Sequence, residues 1–334
     1  MKPVAAAVRP AAYAGLAVGL ALFTGLVAYR GVREVAAALV VAGPGLVVVA
    51  FFHLGPMLAD ALGWRTLLGA AHRPSVLAML RARWIGESVN GLLPVMQVGG
   101  NVVKARLLAA RGIPRDRAAA TVVVDVMLVV ATQVAFTLGG VALLLRHVGG
   151  RELVPAAVGG AALMSTLLAG FYLAQRRGLF VAMARGLGHV LGGASDALTA
   201  GAASLDTEVR RLSRDRRTMA ASAAWHLASW VIGAGEVWLA LRFLGHPVDL
   251  EQALLLESLG QAVRAAAFAI PGALGVQEGG YILLGAVLGL AGETSLALSL
   301  AKRVREILLG LPGLLVWQAE GAMALVRTGD RGTT

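Results

Sequence analysis

The chain has 334 residues, of which 57% are hydrophobic and 15% charged, and its mean hydropathy is +0.74. Soluble globular proteins average about 45–50% apolar and about 25% charged residues, so this composition excludes a water-soluble domain. It also excludes a disordered chain, which requires low hydrophobicity. The sequence has no cysteine, which excludes disulfides, thiolate metal sites and cysteine nucleophiles.

The net charge is +11, and the six histidines are scattered along the chain. In a membrane protein, a surplus of Lys and Arg is expected on the cytoplasmic side, so the charge does not require a nucleic-acid partner. No two histidines have the spacing of a metal-binding pair on one helical turn. We therefore expect neither nucleic acid nor a metal as a partner.

Six stretches are long and apolar enough to span a membrane. A hydrocarbon core about 30 Å thick needs about 20 helical residues at 1.5 Å each. The stretches are 10–29, 35–59, 118–145, 153–174, 219–244 and 294–318. The first follows Lys2 and Arg9 and has no small-x-small cleavage site, so we interpret it as an uncleaved anchor.

Two further apolar regions, 76–112 and 252–290, contain both charges and helix breakers. A charge at the bilayer centre costs roughly 2.5–3.5 kcal/mol, so such helices cannot face lipid. Broken backbone at membrane depth survives only inside protein or beside a wet cavity. We predict two re-entrant hairpins, broken at Pro94, Gly99 and Gly100 in the first and at Pro271, Gly272 and Gly275 in the second.

The distribution of basic residues predicts the orientation. The segment 175–218 is rich in arginine and is assigned to the cytoplasm, which places 60–117 and both termini on the same side. The resulting order of spans and hairpin in 1–150 is repeated with opposite orientation in 151–334. Such inverted repeats are common in transporters. The predicted fold is an all-α polytopic membrane protein with about six full spans plus two re-entrant hairpins in an inverted repeat.

Polar side chains in the two hairpins lie at helical spacing. Arg83, Glu87 and Asn90 are separated by four and three residues and share one helix face. Glu257, Gln261 and Arg264 have the same spacing, with the charges in reverse order. Guanidinium groups suit phosphate, and amides and carboxylates suit hydroxyl-rich groups. The alternative is purely structural, with each charge paired along its own helix or snorkelling to the interface.

Charges also occur in the last predicted span and in 118–145. They are Lys302, Arg303, Arg305, Glu306 and Asp125. Buried charges need partners, and both signs converge on elements expected to be neighbours. Intramembrane ionisable residues usually mark a pathway or a binding site.

Residues 195–217 have an apolar repeat at helical spacing followed by an arginine cluster. Two interpretations remain open. The helix either lies on the anionic inner leaflet or packs on the rest of the protein as part of a basic cytoplasmic loop.

The sequence contains no Walker lysine, dinucleotide fingerprint, nucleophile elbow or H-E-x-x-H motif. We therefore expect no cofactor and no enzyme activity of a soluble type. A membrane-embedded lipid-modifying enzyme, acting on a hopanoid or prenyl lipid, remains the alternative.

Several motifs resemble the lysylphosphatidylglycerol synthase transmembrane (flippase-domain) family. They are Asn90-x-x-x-Pro94 with Gly99-Gly100 and Lys104, the run Pro271-Gly272-Ala273-Leu274-Gly275-Val276-Gln277-Glu278, Arg305 seven residues before Pro312, and Asp125. The string from Glu87 to Gly100 is most similar to the hopanoid-biosynthesis-associated membrane proteins of the HpnL type. The chain lacks the acidic residue usual after the first glycine motif and adds Lys302 and Arg303.

The resemblance implies lipid translocation, or an accessory role in it, in the bacterial inner membrane, with a membrane lipid as substrate and lipid-biosynthesis enzymes as partners. A structural partner in a lipid-synthesis complex is a third interpretation. The expected headgroup-binding residues are Arg83, Glu87, Asn90, Gln97, Lys104, Asp125, Glu257, Gln261, Arg264, Glu278 and Arg305. In this hypothesis the basic members hold the headgroup and the carboxylates balance the charge.

Overall fold

The computed structural model describes residues 40–70, 73–93, 98–148, 196–267 and 270–329, together with residue 37. Within these ranges all regular structure is helical. The first five helices are α1 (Gly45–Phe52), α2 (Leu54–Thr66), α3 (Val76–Leu92), α4 (Gly99–Ala109) and α5 (Arg115–Val148). The next five are α6 (Asp196–Arg214), α7 (Arg216–Phe243), α8 (Leu250–Ala266), α9 (Val276–Val287) and α10 (Gly292–Gly329).

Four of the six predicted spans overlap described helices. The stretches 118–145, 219–244 and 294–318 correspond to α5, α7 and α10, and α10 extends further than predicted at its C-terminal end. The predicted spans 10–29 and 153–174 lie outside the described residues.

The predicted span 35–59 differs most from the observed helices. It becomes α1 and α2, which end at Thr66 and are interrupted at His53. The helix therefore continues past residue 59, and the Asp60 carboxylate has partners inside the bundle. Gly45–Thr66 and Arg115–Arg146 are the two stretches in the described part of the chain that are long and apolar enough to cross a membrane.

The first hairpin region consists of α3 and α4. The Ser75 hydroxyl accepts from the Ala78 amide at 3.2 Å and caps α3, and the backbone becomes extended at Leu93. Gly100 in α4 lies against α3, where a Cβ would overlap the Gly86 carbonyl oxygen. The Asn90 side chain accepts a hydrogen bond from the Gly100 amide at 2.8 Å. The two arms therefore cross at backbone contact, while the predicted breaker Pro94 and the candidate Gln97 lie outside the described residues.

The second hairpin region consists of α8 and α9. Asp249 and Gln252 form a capping box at the start of α8. The chain after α8 contains a short 3-10 turn at Pro271–Ala273, and Gly272 and Gly275 have positive φ values of +63° and +76°. Glycine adopts this conformation without the strain that a Cβ brings. The predicted breakers of this region therefore stand where the helix is interrupted.

The helices of the two parts of the chain pack on one another reciprocally. Three helices of residues 40–148 each pack on a helix of residues 196–329. Helix α3 packs on α10, α5 packs on α8, and α2 packs along α7. Two apolar clusters hold this arrangement: one is centred on Trp64, Leu68 and Met79, and the other on Val237 and Leu241. The hairpin helices therefore lie between long helices of both parts of the chain.

The amphipathic segment is α6. Its residues Val209 and Leu212 are buried in the first apolar cluster, against α5. Of the two interpretations of 195–217, the structure supports packing on the protein, since this apolar face is already covered. Asp215 then caps α7 by accepting from the Arg217 and Thr218 amides, both at 3.1 Å.

Candidate functional site

A polar cavity of about 490 Å³ lies between the long helices and the two hairpin regions. Its wall contains ionisable side chains of both signs, contributed from both parts of the chain. The basic and histidine members are His53, Arg83, Lys104, Arg264 and Arg305. The acidic members are Asp60, Glu87, Asp125, Glu236, Glu257 and Glu306.

The first group of charges joins α2, α3, α4, α5 and α7. Arg83 donates to Asp60 at 2.7 Å and to Asp125 at 3.1 Å. Lys104 also donates to Asp125, at 3.1 Å. The His226 imidazole lies between the same two carboxylates, 2.7 Å from Asp60 and 3.2 Å from Asp125. Two carboxylates therefore face two permanent cations, so this group is neutral when His226 is neutral.

The second group centres on Glu236 of α7, which is 1% exposed. Arg305 of α10 donates to both oxygens of this carboxylate, at 2.8 and 2.6 Å. His53 lies 2.9 Å from Glu236 through Nδ1 and 2.7 Å from Glu87 through Nε2. This group links α7 and α10 to the first hairpin helix through a single imidazole.

A third group lies on α8 and α10. Lys302 donates to Glu257 at 2.6 Å, and the Glu257 carboxylate also accepts from Gln261 at 2.8 Å. Arg264 donates to Glu306 and, at 3.0 Å, to Gln277 of α9. These contacts join the second hairpin region to the last helix.

The ion pairs are costly to bury, and the structure compensates this cost with partners. Two charges removed from water lose several kcal/mol of solvation each, and only good geometry with further hydrogen bonds offsets that loss. Aliphatic side chains, including Val126, Val129, Val130 and Leu309, also line the cavity. It therefore offers hydrogen-bond donors and acceptors together with aliphatic surface, which suits an amphiphile.

Most of the predicted site residues are together in this cavity. Nine of them line it: Arg83, Glu87, Asn90, Lys104, Asp125, Glu257, Gln261, Arg264 and Arg305. The suggested pairing of Arg83 with Glu87 along one helix is not what the structure has, because Arg83 pairs with aspartates of α2 and α5 and Glu87 with His53.

Glu278 does not line the cavity, which corrects its assignment from the sequence. It is fully buried behind the wall and pairs with Arg303, whose Nε lies 2.7 Å from Oε1. Its other oxygen accepts from the Gly275 amide at 2.7 Å and so caps α9. The motif residue is therefore used to build the second hairpin region.

Three ionisable residues of the cavity, His53, Asp60 and Glu236, were not predicted from the sequence. Glu306 was noted as a charge in the last predicted span but was not assigned to the site. A single carboxylate such as Glu236 inside an apolar predicted span was itself a signal, because it cannot face lipid.

The described ranges contain no group of three or more His, Asp or Glu side chains that could hold a metal ion. The His and carboxylate groups of the cavity are instead hydrogen-bonded to one another and to basic side chains.

The class of protein follows from the outer surface together with the cavity. Large apolar side chains are exposed on many of the described helices, including Phe51, Leu77, Leu283 and Leu315, each at least 64% exposed. Large apolar side chains exposed on a helical bundle with a buried polar interior are typical of a protein in lipid. The fold and the site thus define a multi-pass helical membrane protein with an internal polar chamber.

The family is shown by comparison with known proteins. The chain belongs to the family described as the lysylphosphatidylglycerol synthase TM region, whose model matches residues 14–313. No curated protein and no solved structure matches the chain. Membership indicates a membrane protein of lipid metabolism or transport.

Proposed function

We propose that this protein moves a lipid between the leaflets of the bacterial inner membrane, or assists that movement. The polar headgroup occupies the cavity, and the acyl chains stay in the surrounding lipid. The observation that carries the proposal is the cavity of about 490 Å³, which is lined both by charged side chains of both signs and by aliphatic side chains. A lipid headgroup with the first part of its chains combines the same two kinds of surface.

Because the arginines of the cavity are already paired with carboxylates, we expect the site to bind its lipid weakly. Weak binding suits a transporter better than a high-affinity binding protein. Arg264 and Arg305 are already paired with the carboxylates Glu306 and Glu236. A headgroup phosphate must exchange with these carboxylates, so its binding energy is only the difference between two similar interactions. A site that binds weakly can release its substrate to the other leaflet, as conduction through selective pores also requires.

The topology we propose has two re-entrant hairpins in an inverted repeat, 1–150 and 151–334, with both termini in the cytoplasm. The reciprocal packing of α3 on α10 and of α8 on α5 supports such a repeat. Contacts at one end of the bundle support the orientation. Ser204 of α6 donates to Asp116 at 3.0 Å, and Arg117 donates to the Leu68 carbonyl at 2.9 Å. The basic segments 60–117 and 196–217 therefore meet at one end, which we assign to the cytoplasm.

The lipid class is the finer part of the proposal. The string from Glu87 to Gly100 resembles proteins associated with hopanoid biosynthesis, so a hopanoid-linked lipid is one candidate substrate. The family description names lysylphosphatidylglycerol, which makes phosphatidylglycerol and its lysyl ester the other candidates. The amide and carboxylate groups of Gln261 and Glu257 suit the hydroxyl groups of either headgroup.

The test is a leaflet-resolved lipid assay on the full chain in vesicles of phosphatidylethanolamine and phosphatidylglycerol. Acyl-labelled fluorescent phosphatidylglycerol, lysylphosphatidylglycerol or phosphatidylethanolamine is added in trace, and dithionite reports the outer leaflet. We expect Arg264→Ala with Arg305→Ala to slow the transported lipid about tenfold or more. Arg242→Ala, which changes an exposed arginine outside the cavity, is the matched control and is expected to leave the rate unchanged.

A charge-balanced variant protects the assay from misfolding. Arg264→Gln with Glu306→Gln removes one pair without leaving an unpaired buried carboxylate. Unchanged transport in both folded double variants contradicts the proposed roles. Lipid profiling of a deletion strain separates the enzyme alternative, because a missing lipid species indicates an enzyme and a normal species in the wrong leaflet indicates transport.

A further inference from the structure

His53 stands at the interruption between α1 and α2 and hydrogen-bonds a carboxylate through each ring nitrogen. Nε2 lies 2.7 Å from Glu87 of α3, and Nδ1 lies 2.9 Å from Glu236 of α7. A neutral imidazole has one donor and one acceptor, so it can donate to only one of two ionised carboxylates. An imidazolium donates to both. The geometry around this ring therefore fits the charged form.

The neutral form also has a complete set of partners, through Arg305. The Nη1 atom of Arg305 lies 2.9 Å from His53 Nδ1. When Nδ1 carries a proton, it donates to Glu236. When Nδ1 is bare, it accepts from Arg305, while the proton on Nε2 still bonds Glu87. The ring can thus gain and lose a proton while both of its nitrogens keep a hydrogen-bond partner. A buried nitrogen without a partner would cost free energy, and this site avoids that cost.

The charges that face the ring favour one bound proton. They are Glu87 from α3, Glu236 from α7 and Arg305 from α10. Two carboxylates against one guanidinium leave an excess negative charge, which a protonated imidazole cancels. Lys302 lies 3.6 Å from Glu236, but its close partner is Glu257 at 2.6 Å.

The outer neighbours do not change this balance. Glu306 approaches Arg305 at 3.5 Å through Nη2, but it is the carboxylate partner of Arg264. The two neighbouring ion pairs each carry no net charge. They are Lys302 with Glu257 and Arg264 with Glu306. Arg83 lies one helical turn before Glu87 on α3, but it donates to Asp125 and Asp60. The negative excess therefore lies in the four groups that include His53.

The other bridged imidazole provides a contrast. His226 also lies between two carboxylates, Asp60 and Asp125, but these face two permanent cations, Arg83 and Lys104. That group is neutral with a neutral ring. His226 is also fully buried, whereas the His53 side chain is 15% exposed and lines the cavity. Of the two bridges, the one at His53 has both the unbalanced charge and access to the cavity.

We propose that His53 is the binding site of a coupling proton, a role that rests on the proposed lipid transport. The proton reaches the ring from cavity water past Glu87, whose side chain is 43% exposed, while the cavity is open to one side of the membrane. It leaves into the cavity when the cavity is open to the other side. In the loaded state the imidazolium donates to Glu87 and Glu236 and ties α3 to α7. The imidazolium donates to both carboxylates where the neutral ring donates to one, and its positive charge attracts both, so the proton tightens the first hairpin against the bundle.

The first test observes the proton directly and does not need transport. The full chain, labelled with ¹⁵N-histidine, is placed in nanodiscs of phosphatidylethanolamine and phosphatidylglycerol, and ring-nitrogen chemical shifts are followed with pH. We expect a doubly protonated ring at pH 6 that loses one proton as the pH rises. That signal should be absent in His53→Gln and kept in His246→Gln, which changes an exposed loop histidine. A neutral His53 ring at pH 6, or one that stays charged to pH 10, overturns the proposal.

The second test measures coupling in vesicles with the membrane potential clamped at zero, using whichever of the three fluorescent lipids the wild type moves in the leaflet-resolved assay. If one proton moves with each lipid, a gradient of one pH unit shifts the leaflet ratio about tenfold at steady state. In His53→Gln we expect the leaflet ratio to stay within about twofold of its value without a pH gradient. His246→Gln should behave as wild type. A tenfold ratio in His53→Gln overturns the proposal.

The two tests separate the failure of the two proposals. If lipid equilibrates in the wild type but ignores the pH gradient, the coupling role is wrong and transport stands. If no lipid moves in any variant, the transport proposal fails, and the ring-nitrogen shifts still decide whether His53 binds the proton.

Discussion

Replacing Lys302 with methionine tests whether the buried charges stabilise the bundle as pairs. Lys302 and Glu257 have side chains 2% and 4% exposed, and their charged atoms are 2.6 Å apart. Removing the cation leaves the buried Glu257 carboxylate with the hydrogen bond that Gln261 donates to it at 2.8 Å. Breaking a buried pair in this way costs about 3–5 kcal/mol. We expect Lys302→Met to lower the free energy of unfolding by this amount.

The paired variant makes the test sharp. Glu257→Gln added to Lys302→Met removes the stranded charge and keeps a side chain that can bond Gln261, so most of the loss should be recovered, to within about 1 kcal/mol. The assay is unfolding in mixed micelles by titration with a denaturing detergent. Arg216→Met, at an exposed position, is the control and should change stability by less than about 0.5 kcal/mol. A double variant as unstable as the single one would refute the pairing argument.

Two further predictions concern the first hairpin region and the cap of α7. Gly100→Ala should destabilise the protein by about 1–3 kcal/mol in the same unfolding assay, because its Cβ meets the backbone oxygen of Gly86. Gly139→Ala is the control. This glycine faces open space on α5, so the change should be neutral or stabilising by up to about 1 kcal/mol. The Thr218 hydroxyl and amide donate to Asp215 and hold the pKa of this exposed carboxyl below its usual value. The stabilisation that the ionised Asp215 gives is therefore complete above the pKa of the unfolded chain and is lost as the pH falls through the lowered pKa of the folded protein. The difference in Tm between wild type and Asp215→Ala should be largest near neutral pH and should disappear in acid.

The sequence was sufficient to predict the polar face of the first hairpin helix. Arg83, Glu87 and Asn90 line the cavity because residues four and three apart project from one side of a helix, whatever the helix packs against. The same rule placed Glu257, Gln261 and Arg264 together. Periodicity is a property of one helix, so this part of the site could be read without tertiary information.

The partners of those residues could not be read in the same way. Arg83 pairs with Asp60 and Asp125, which come from two other helices. Which carboxylate meets which guanidinium depends on helix packing and rotation, and spacing along the chain does not contain this information. The role of Glu278 shows the same limit, because its motif pointed to a site residue and its contacts make it a cap and a partner of Arg303.

The charges of the cavity also restrict how a headgroup can bind. Each arginine of the wall has a carboxylate within hydrogen-bond distance, so a phosphate does not enter a field of free cations. Amine-bearing or hydroxylated headgroups find acceptors in the same pairs. The arrangement therefore favours headgroups that can exchange partners with an ion pair over those that bind as a bare anion.

The central claim, that the headgroup passes through the cavity, is tested most directly by blocking it. The chain has no cysteine, so Val130→Cys places a single thiol in the lining of the cavity, where the valine is 36% exposed. After quantitative reaction with a bulky charged methanethiosulfonate, lipid exchange between leaflets should fall at least tenfold and return on reduction, while the same label on His246→Cys has no effect. Undiminished exchange with the Val130→Cys thiol fully labelled would contradict the account.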